Sequence, residues 1–539
     1  MALAEPGGEG ECHLGTVRLR DHHTNEIILI PKPSDDPSDP LNWPQWYKYF
    51  IASLASWASL IGPFGATGPG VLLTDMAHSF FGPSGPDFAS AIAKSAYFLT
   101  VCTLVTGLST LVWVPLMVKF GRRSGAIGAY TVYAAGAAWC ACAQSYGSML
   151  AGRAMMGFAT GIAEVLGPLV IADIFFVHER GTVMAIYACM LSSGAGAGSV
   201  LAGLITIHES WRAMFWLSCA LTVFTALLMF FVLPETTYIR GAGSTSPTVA
   251  SSSDEGKTTP ENGGCVEILE HPALQRRTAT PPSVLKIITT FPTRSYTSEP
   301  FWKLVLRPIA LIILPSALWA SLVMAVSIGF LVAMMSNVSS AFTAVYGFST
   351  WQIGLCMLSI LIGGGVALWM GGSLSDIVAD RLTRRNGGIR EPEMRLPVMG
   401  LSLITGPLAL VLYGVGVGNR LHWMCPVTGL ALITFTIVQA GNICVVYMID
   451  CYRPIAGEVT VTQYAFKSLF GFLLSFYTNP WISGSGYTRA FGEMASISGA
   501  VFLCMFVFYF WGKTLRRRSW DWALVRLFIH WKEDREVGE

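Results

Sequence analysis

The sequence predicts an all-α integral membrane protein, with twelve transmembrane helices in two six-helix bundles and both termini in the cytoplasm. Three observations predict it. Hydrophobic residues make up 53% of the chain and charged residues only 13%, against about 25% charge in a soluble domain. Twelve apolar stretches are each long enough to cross a hydrocarbon core of about 30 Å, which takes about 20 residues. Basic residues collect at alternate junctions, the pattern of loops kept on the cytoplasmic side.

Residues 1–46 form a polar arm ending in SDDPSDPLNWPQW. It lacks the apolar centre of a signal peptide, and its prolines disfavour a continuing helix. The first six spans are read at 47–68, 89–114, 124–143, 149–172, 182–205 and 211–233. The second six are read at 304–332, 347–371, 396–416, 425–447, 457–478 and 493–513. Between the sets, residues 234–302 include GAGSTSPTVASSSDEGKTTPENGG, too poor in apolar residues to fold alone. They are read as a disordered cytoplasmic linker with a short surface helix near 282–290. The domain plan is therefore an arm (1–46), a bundle (47–233), the linker (234–302), a bundle (303–513) and a cytoplasmic tail (514–539).

Charge sets the orientation. The even-numbered spans end in Lys119, Arg122 and Arg123, in Arg180, in Arg240, in the 381–395 cluster, in Arg453 and in Lys513 with Arg516–Arg518. The opposite loops carry little beyond Arg212, Arg420 and Arg489. Positive loops resist translocation, so the basic side is cytoplasmic. Asn337-Val338-Ser339 is then a sequon on the outer side, close to the membrane, and Asn337 is a candidate glycosylation site.

Other function classes find little support. The formal charge of +2 is no argument for a nucleic-acid partner, and no Walker A sequence is present. The twelve cysteines lie mostly inside apolar segments without a CxxC pair, so neither a disulfide framework nor a zinc site is expected. Asp21-His22-His23 is followed by Thr24 rather than the cysteine of a DHHC acyltransferase. With no nucleophile or acid/base grouping of enzymatic spacing, the chain reads as neither an enzyme nor a cofactor protein.

Several motifs carry a resemblance. They are DPSDPLNWP in the arm, WVPLMVKFGRR after span 2, GRAMMGFATG in span 4, SWRAMFW before span 6 and LPETTY after it, GGSLSD…RRNGGIREPEMRL after span 8, and NPWISGSGY after span 11. In that order they resemble the fungal major facilitator superfamily, of the twelve-helix drug:proton antiporter type, near the branch with the yeast histidinol and polyamine permease. The resemblance implies alternating access by two bundles around a central cavity, usually driven by the proton gradient. Two positions depart from the pattern. Val118 stands where the turn after span 2 usually has an acidic residue, and Ser199 takes the apparent proline position of span 5.

A charge at mid-bilayer costs about 2.5–3.5 kcal/mol on insertion scales and marks a functional candidate. Arg153 and Glu164 in span 4 lie about 20° apart on a helical wheel, with Gly157 and Thr160 on the same stripe. This stripe is expected to face the cavity. The resemblance associates Arg153 with proton coupling, and Glu164 is the carboxylate that can exchange the proton. Lys467, on a stripe with Thr460 and Gln463 in span 11, has three readings: an anion site, a partner for Glu164, or a side chain reaching to the interface. Gln439 and Asn442 share a face of span 10, read as substrate contact or interhelical hydrogen bonding. Trp319, Tyr97 and Phe98 are candidate cavity aromatics or packing residues.

Asp376 with Arg381 and Arg385 is expected to latch the cytoplasmic side, the carboxylate facing a neighbouring helix N-terminus. Arg122 and Arg123 are gate residues or topology determinants. Gly194, Gly196, Gly198 and Gly203 are expected to permit close helix approach. The expected function is a proton-coupled secondary transporter, most simply an efflux pump for an amphipathic metabolite or drug, with uptake of a cationic metabolite as the alternative. A sensor without flux, or a membrane enzyme, is more distant. Its partners would be a small-molecule substrate, protons and the bilayer, with the chain working as a monomer, multi-pass in the cell membrane.

Overall fold

The structure is a computed structural model that describes residues 17–18, 34, 36, 39–82, 88–176, 179–238, 296, 300–386, 389–452, 455–520 and 522. Most of the arm, most of the linker with its 282–290 helix, Arg240, Arg453 and most of the tail lie outside the described residues.

Among the described residues, the first half holds seven helices: α1 (Gln45–Ala66), α2 (Leu73–Phe81), α3 (Phe88–Phe120), α4 (Arg122–Cys142), α5 (Tyr146–Ile174), α6 (Arg180–Ile205) and α7 (Arg212–Val232). After the linker come α8 (Phe301–Leu311), α9 (Pro315–Tyr346), α10 (Thr350–Cys356), α11 (Leu358–Leu368) and α12 (Leu374–Arg385). The last five are α13 (Gly400–Gly418), α14 (Met424–Cys451), α15 (Ala456–Ser485), α16 (Tyr487–Leu503) and α17 (Met505–Trp520). A single two-residue antiparallel ladder, β1 (Val17–Arg18) with β2 (Ile389–Arg390), is the sheet among the described residues.

Ten helical stretches among the described residues are long and apolar enough to cross a membrane. The expected spans at 124–143 and 457–478 correspond to α4 and α15, which are 21 and 30 residues long but are not among those ten. Their composition is the reason. α4 is diluted by alanine, glycine and tyrosine, and α15 carries Glu458, Gln463 and Lys467.

Three boundaries differ from the sequence reading. The span expected from 304 is broken, because Pro315 opens α9 and Leu314 before it is extended, as residues preceding proline tend to be. The eighth span runs beyond 371 through a π turn, Trp369–Ser373, into α12. The first continues through a 3-10 turn, Gly68–Leu72, into α2.

Packing divides the helices into two sets. In the first, α1 packs on α5 and α6, α3 on α5, and α4 on α5 and α7. In the second, α9 packs on α15, α13 on α14 and α16, and α11 on α14. The sets meet along two seams, α3 against α15 and α6 against α10, α11 and α14. Glycine makes the second seam close. A methyl on Gly194 or Gly198 would strike the carbonyls of Leu60 or Phe64 in α1, while one on Gly196 would lie 2.9 Å from Ile360 and one on Gly203 2.8 Å from the Cα of Gly354. The four glycines therefore serve both faces of α6. Gly121, between α3 and α4, has φ +92°, and a side chain there would also run into the Glu235 carboxylate.

Candidate functional site

Between the two sets lies a cavity of about 160 Å³, lined by residues of α1, α3, α5 and α6 on one side and α9, α14 and α15 on the other. Its wall is mainly apolar, with Met184, Met324, Ile328 and Met335 among the lining side chains. The polar exceptions include Thr160, Glu164, Tyr187, Asn442, Tyr464 and Lys467.

One ion pair crosses this cavity. Lys467 Nζ of α15 lies 2.9 Å from Glu164 Oε1 of α5, with side chains 3% and 14% exposed. Of the three readings of Lys467, the structure shows the Glu164 partnership. The ammonium also lies 4.2 Å from the Tyr464 ring centroid, one helical turn earlier, close enough for a cation–π contact. Tyr187 of α6 donates from its hydroxyl to the Glu164 backbone carbonyl. Among the described residues, Glu164 Oε2 is buried without a hydrogen-bond partner, and so is Asn442 Oδ1. Asn442 Nδ2 meanwhile donates to the Gly371 carbonyl at 3.2 Å, inside the π turn, where the regular helical hydrogen-bond ladder is interrupted.

The remaining candidates separate from the cavity. Arg153 is not on its wall. The guanidinium donates to the carbonyls of Phe98 at 3.2 Å, Gly65 at 2.9 Å and Ala66, and its carbon lies 5.8 Å from the Phe215 ring centroid. The shared stripe thus splits: Glu164 reaches the cavity, whereas Arg153 rivets α5 to α1 and α3. Gln439 accepts from Ser402 Oγ at 3.0 Å and donates to the Val398 carbonyl at 3.2 Å, which is interhelical bonding. Gln463 donates to the Cys444 carbonyl at 3.5 Å and does not line the cavity.

Trp319 likewise packs away from it, donating to the Val501 carbonyl and stacking on Phe508 at 4.6 Å. Phe98 is buried against Phe80 and Tyr146, and Tyr97 stacks on Phe476. Asn337 is only 6% exposed and donates to Asn479 Oδ1 of α15 at 3.3 Å. That corrects the glycosylation reading, since a glycan needs a surface asparagine.

The halves also touch at both ends. At the end with the basic loops, Asp376 of α12 approaches the first turn of α6, where Thr182 Oγ1 donates to it at 3.4 Å and a methyl on Gly181 would strike its carboxylate. The expected partner of Asp376 is corrected here. Arg395 lies 2.7 Å from Asp376 and 3.4 Å from Asp450, while Arg381 and Arg385 are exposed. Helix continuation explains this, because α12 turns residues 381 and 385 away from the face that carries Asp376. Nearby, Arg390 pairs with Asp380 at 3.6 Å. Burial, with the charge of Arg395, pulls Arg390 down from the ordinary guanidinium value, and Asp450, Asp376 and Asp380 oppose that.

In the first half Arg122 pairs with Asp173 at 3.3 Å, its backbone N–H donates to Glu235 at 2.8 Å, and Arg123 donates to the Phe230 carbonyl at 2.8 Å. The acidic residue missing at Val118 is thus supplied from the ends of α5 and of the segment after α7. At the opposite end of the molecule Thr350 donates to Asp75 at 3.1 Å, and the hydroxyls of Thr74 and Ser339 lie 3.0 Å apart.

Sequence reasoning missed Tyr187 and Tyr464 on the cavity wall and Arg395 as the partner of Asp376. Tyr464 had a local signal, since it precedes Lys467 by one turn. Tyr187 and Arg395 had none, because their partners are distant in sequence.

Two sets of apolar helices closing on a cavity crossed by an ion pair define a polytopic membrane transporter. The chain belongs to the Major Facilitator Superfamily, whose family model matches residues 55–454. It is 23% identical over 544 residues to Protein HOL1 of Saccharomyces cerevisiae, covering 92% of each chain. It is 25% identical over 440 residues to the probable efflux pump mfs2 of Aspergillus flavus, covering 80% of this chain and 96% of that one. The human organic anion transporter MFSD10 has the same fold, with a TM-score of 0.59 and 15% identity, over 85% of this chain and 99% of that one. The chain is therefore a multi-pass transporter of small solutes and not an enzyme.

Proposed function

We propose that this chain is a proton-coupled efflux pump for an amphipathic metabolite or drug. It would work as a monomer in the cell membrane, with twelve spans arranged six plus six, the linker at 234–302, and both termini in the cytoplasm. The observation that carries the reading is the Glu164–Lys467 pair, because it joins the two halves inside the cavity that alternating access must open. Breaking a buried pair by removing one partner leaves an uncompensated charge. A proton on Glu164 removes its charge and releases Lys467, which loosens the halves from each other. The apolar wall suits the cargo, and the resemblance to drug:proton antiporters favours the outward direction.

The gradient is sufficient. A proton entering down about 100 mV delivers roughly 2.3 kcal/mol, and one pH unit adds about 1.4 kcal/mol. At one proton per neutral solute, the sum of about 3.7 kcal/mol supports a gradient of roughly 500-fold.

A second reading, uptake of a cationic metabolite, has its own support. Glu164 Oε2 and Asn442 Oδ1 are acceptors without a hydrogen-bond partner among the described residues, and the Tyr464 face already holds one ammonium. A cargo ammonium would replace Lys467 on these groups. Both readings are tested by comparing the small molecules inside and outside cells with and without the protein, with a protonophore as control. Export that depends on protein and gradient favours the pump, and accumulation favours the permease. In reconstituted vesicles, Glu164→Gln should abolish gradient-driven transport of whatever compound that comparison identifies. Unchanged driven transport would remove Glu164 from the mechanism.

A further inference from the structure

The segment after the linker has a feature that the transport reading does not use. Helix α8 has 11 residues, about 16 Å of helix, which is too short to span a bilayer. Yet it is strongly two-faced. Trp302, Leu306 and Ile309, spaced by four and three residues, are 73%, 50% and 53% exposed, and Ile313 continues the row at 42%. Leu304, Arg307, Pro308 and Leu311 occupy the opposite face and are buried.

The buried face is held by specific contacts. Arg307 Nη1 lies 2.8 Å from Glu458 Oε1 at the start of α15, and the Thr462 hydroxyl donates to the Pro308 carbonyl at 2.6 Å. A backbone hydrogen bond of 3.0 Å from Tyr296 N–H to the Lys119 carbonyl holds the preceding chain at the end of α3. Helix α8 touches both α15 and α3, the two sides of one seam between the halves. Its place is the end with the basic loops, since Lys119 closes α3 there and Glu458 opens α15.

The outer face is an apolar row that Ile313 and Leu318, at the start of α9, extend. Helix α9 exposes no residue from 319 to 342, whereas α15, which α8 touches, exposes Leu469, Leu473 and Phe476, a surface that meets lipid in a membrane-crossing chain. Helices with one apolar face lie in the interface plane, about 5–10 Å into the headgroup and acyl boundary. We propose that α8 is an interfacial strap. Its Trp302 face is immersed in lipid and its Arg307 face is clamped across the α3–α15 seam, so that the halves are tied at the end with the basic loops. This rests on the chain's crossing a membrane and not on proton coupling or direction of transport.

The test uses the full chain reconstituted in phosphatidylcholine vesicles. The emission of wild type minus that of Trp302→Phe isolates the Trp302 signal. Lipid brominated near the carbonyl end of the acyl chain should remove most of that signal, and aqueous iodide little. Quenching by iodide alone would place the face in water. Quenching by neither would mean that protein covers it. Either result overturns the lipid contact. The clamp is read by hydrogen exchange with Arg307→Met, which keeps an apolar stem of similar length. Exchange in Phe301–Leu311 should rise by roughly tenfold or more while the centre of α9 is unchanged. Equal exchange in variant and wild type would overturn the strap. Neither readout involves flux, so failure of the transport reading leaves both standing.

Discussion

The two charged positions of α5 invite comparison. Arg153 and Glu164 are both buried or nearly so and share one stripe, yet they do different work. Arg153 is met by three backbone carbonyls of its own half and forms no ion pair among the described residues. Those acceptors cannot titrate and move with the helix bundle that carries them. Glu164 is met by Lys467 of the other half, and both line the cavity between the halves. Burial of charge marks a functional candidate. Under the proposed function the partner separates the two, because only a contact that breaks during the transport cycle can couple to that cycle.

The sharpest way to break the comparison is a double-mutant cycle on the pair. Glu164→Gln or Lys467→Met alone should destabilise the folded protein by roughly 3–5 kcal/mol, and the double variant by much less than the sum. Thermal unfolding of purified protein measures this, and additive effects would show that the pair is not coupled. Arg153→Met should rank next. It leaves the Gly65 and Ala66 carbonyls at the end of α1 short of a donor, at about 2–3 kcal/mol in all once the site relaxes. Its surviving population should keep the wild-type pH profile of transport. A shifted profile would return Arg153 to the proton-coupling role that the family resemblance implied.

Third comes the contact at the end with the basic loops. Gly181→Ala forces a methyl against the Asp376 carboxylate, and Asp376→Asn removes one of the two carboxylates that face Arg395. Both should favour conformations open at that end, read as faster modification of a cysteine introduced on the cavity wall at Ser192 by a reagent added from the side of the basic loops. Unchanged labelling in both variants would mean that the contact is not a latch.

What the sequence made legible follows from the range of each interaction. Helices, their apolar lengths and the basic loops are written in runs of neighbouring residues, so the helical membrane fold could be read directly. The glycines of α6 were legible too, since Gly194 and Gly198 recur every four residues on one face. Breaks were harder. Nothing in the apolar run 304–332 marks the break between α8 and α9 except Pro315, and a proline inside an apolar run can equally sit within a span, as Pro308 sits within α8. Pairings were hardest. Asp376 has five arginines within twenty residues, and the tertiary fold selects Arg395 because the 3-10 turn Pro392–Met399 brings it back beside α12. The position of Arg153 off the cavity was equally hidden, because helical phase gives a direction but not how far the neighbouring helix stands away.

Arg381 is the smallest predicted effect and tests that selection. Its neighbour Asp380 faces Arg390, Asp376 faces Arg395, and Arg381 itself is exposed. A surface charge without a fixed partner contributes little, because water and salt screen it. Arg381→Gln should therefore change stability by no more than about 0.5 kcal/mol and leave the transport rate unaltered. Membrane orientation should also hold, because Arg384, Arg385, Arg390 and Arg395 keep the same loop basic. Arg395→Gln in parallel supplies the contrast, since it strips the buried Asp450 and the half-buried Asp376 of their cation. If unfolding measurements found the two variants equally damaging, Asp376 would have to draw on both arginines, and the latch would be a shared cluster in place of a single chosen pair.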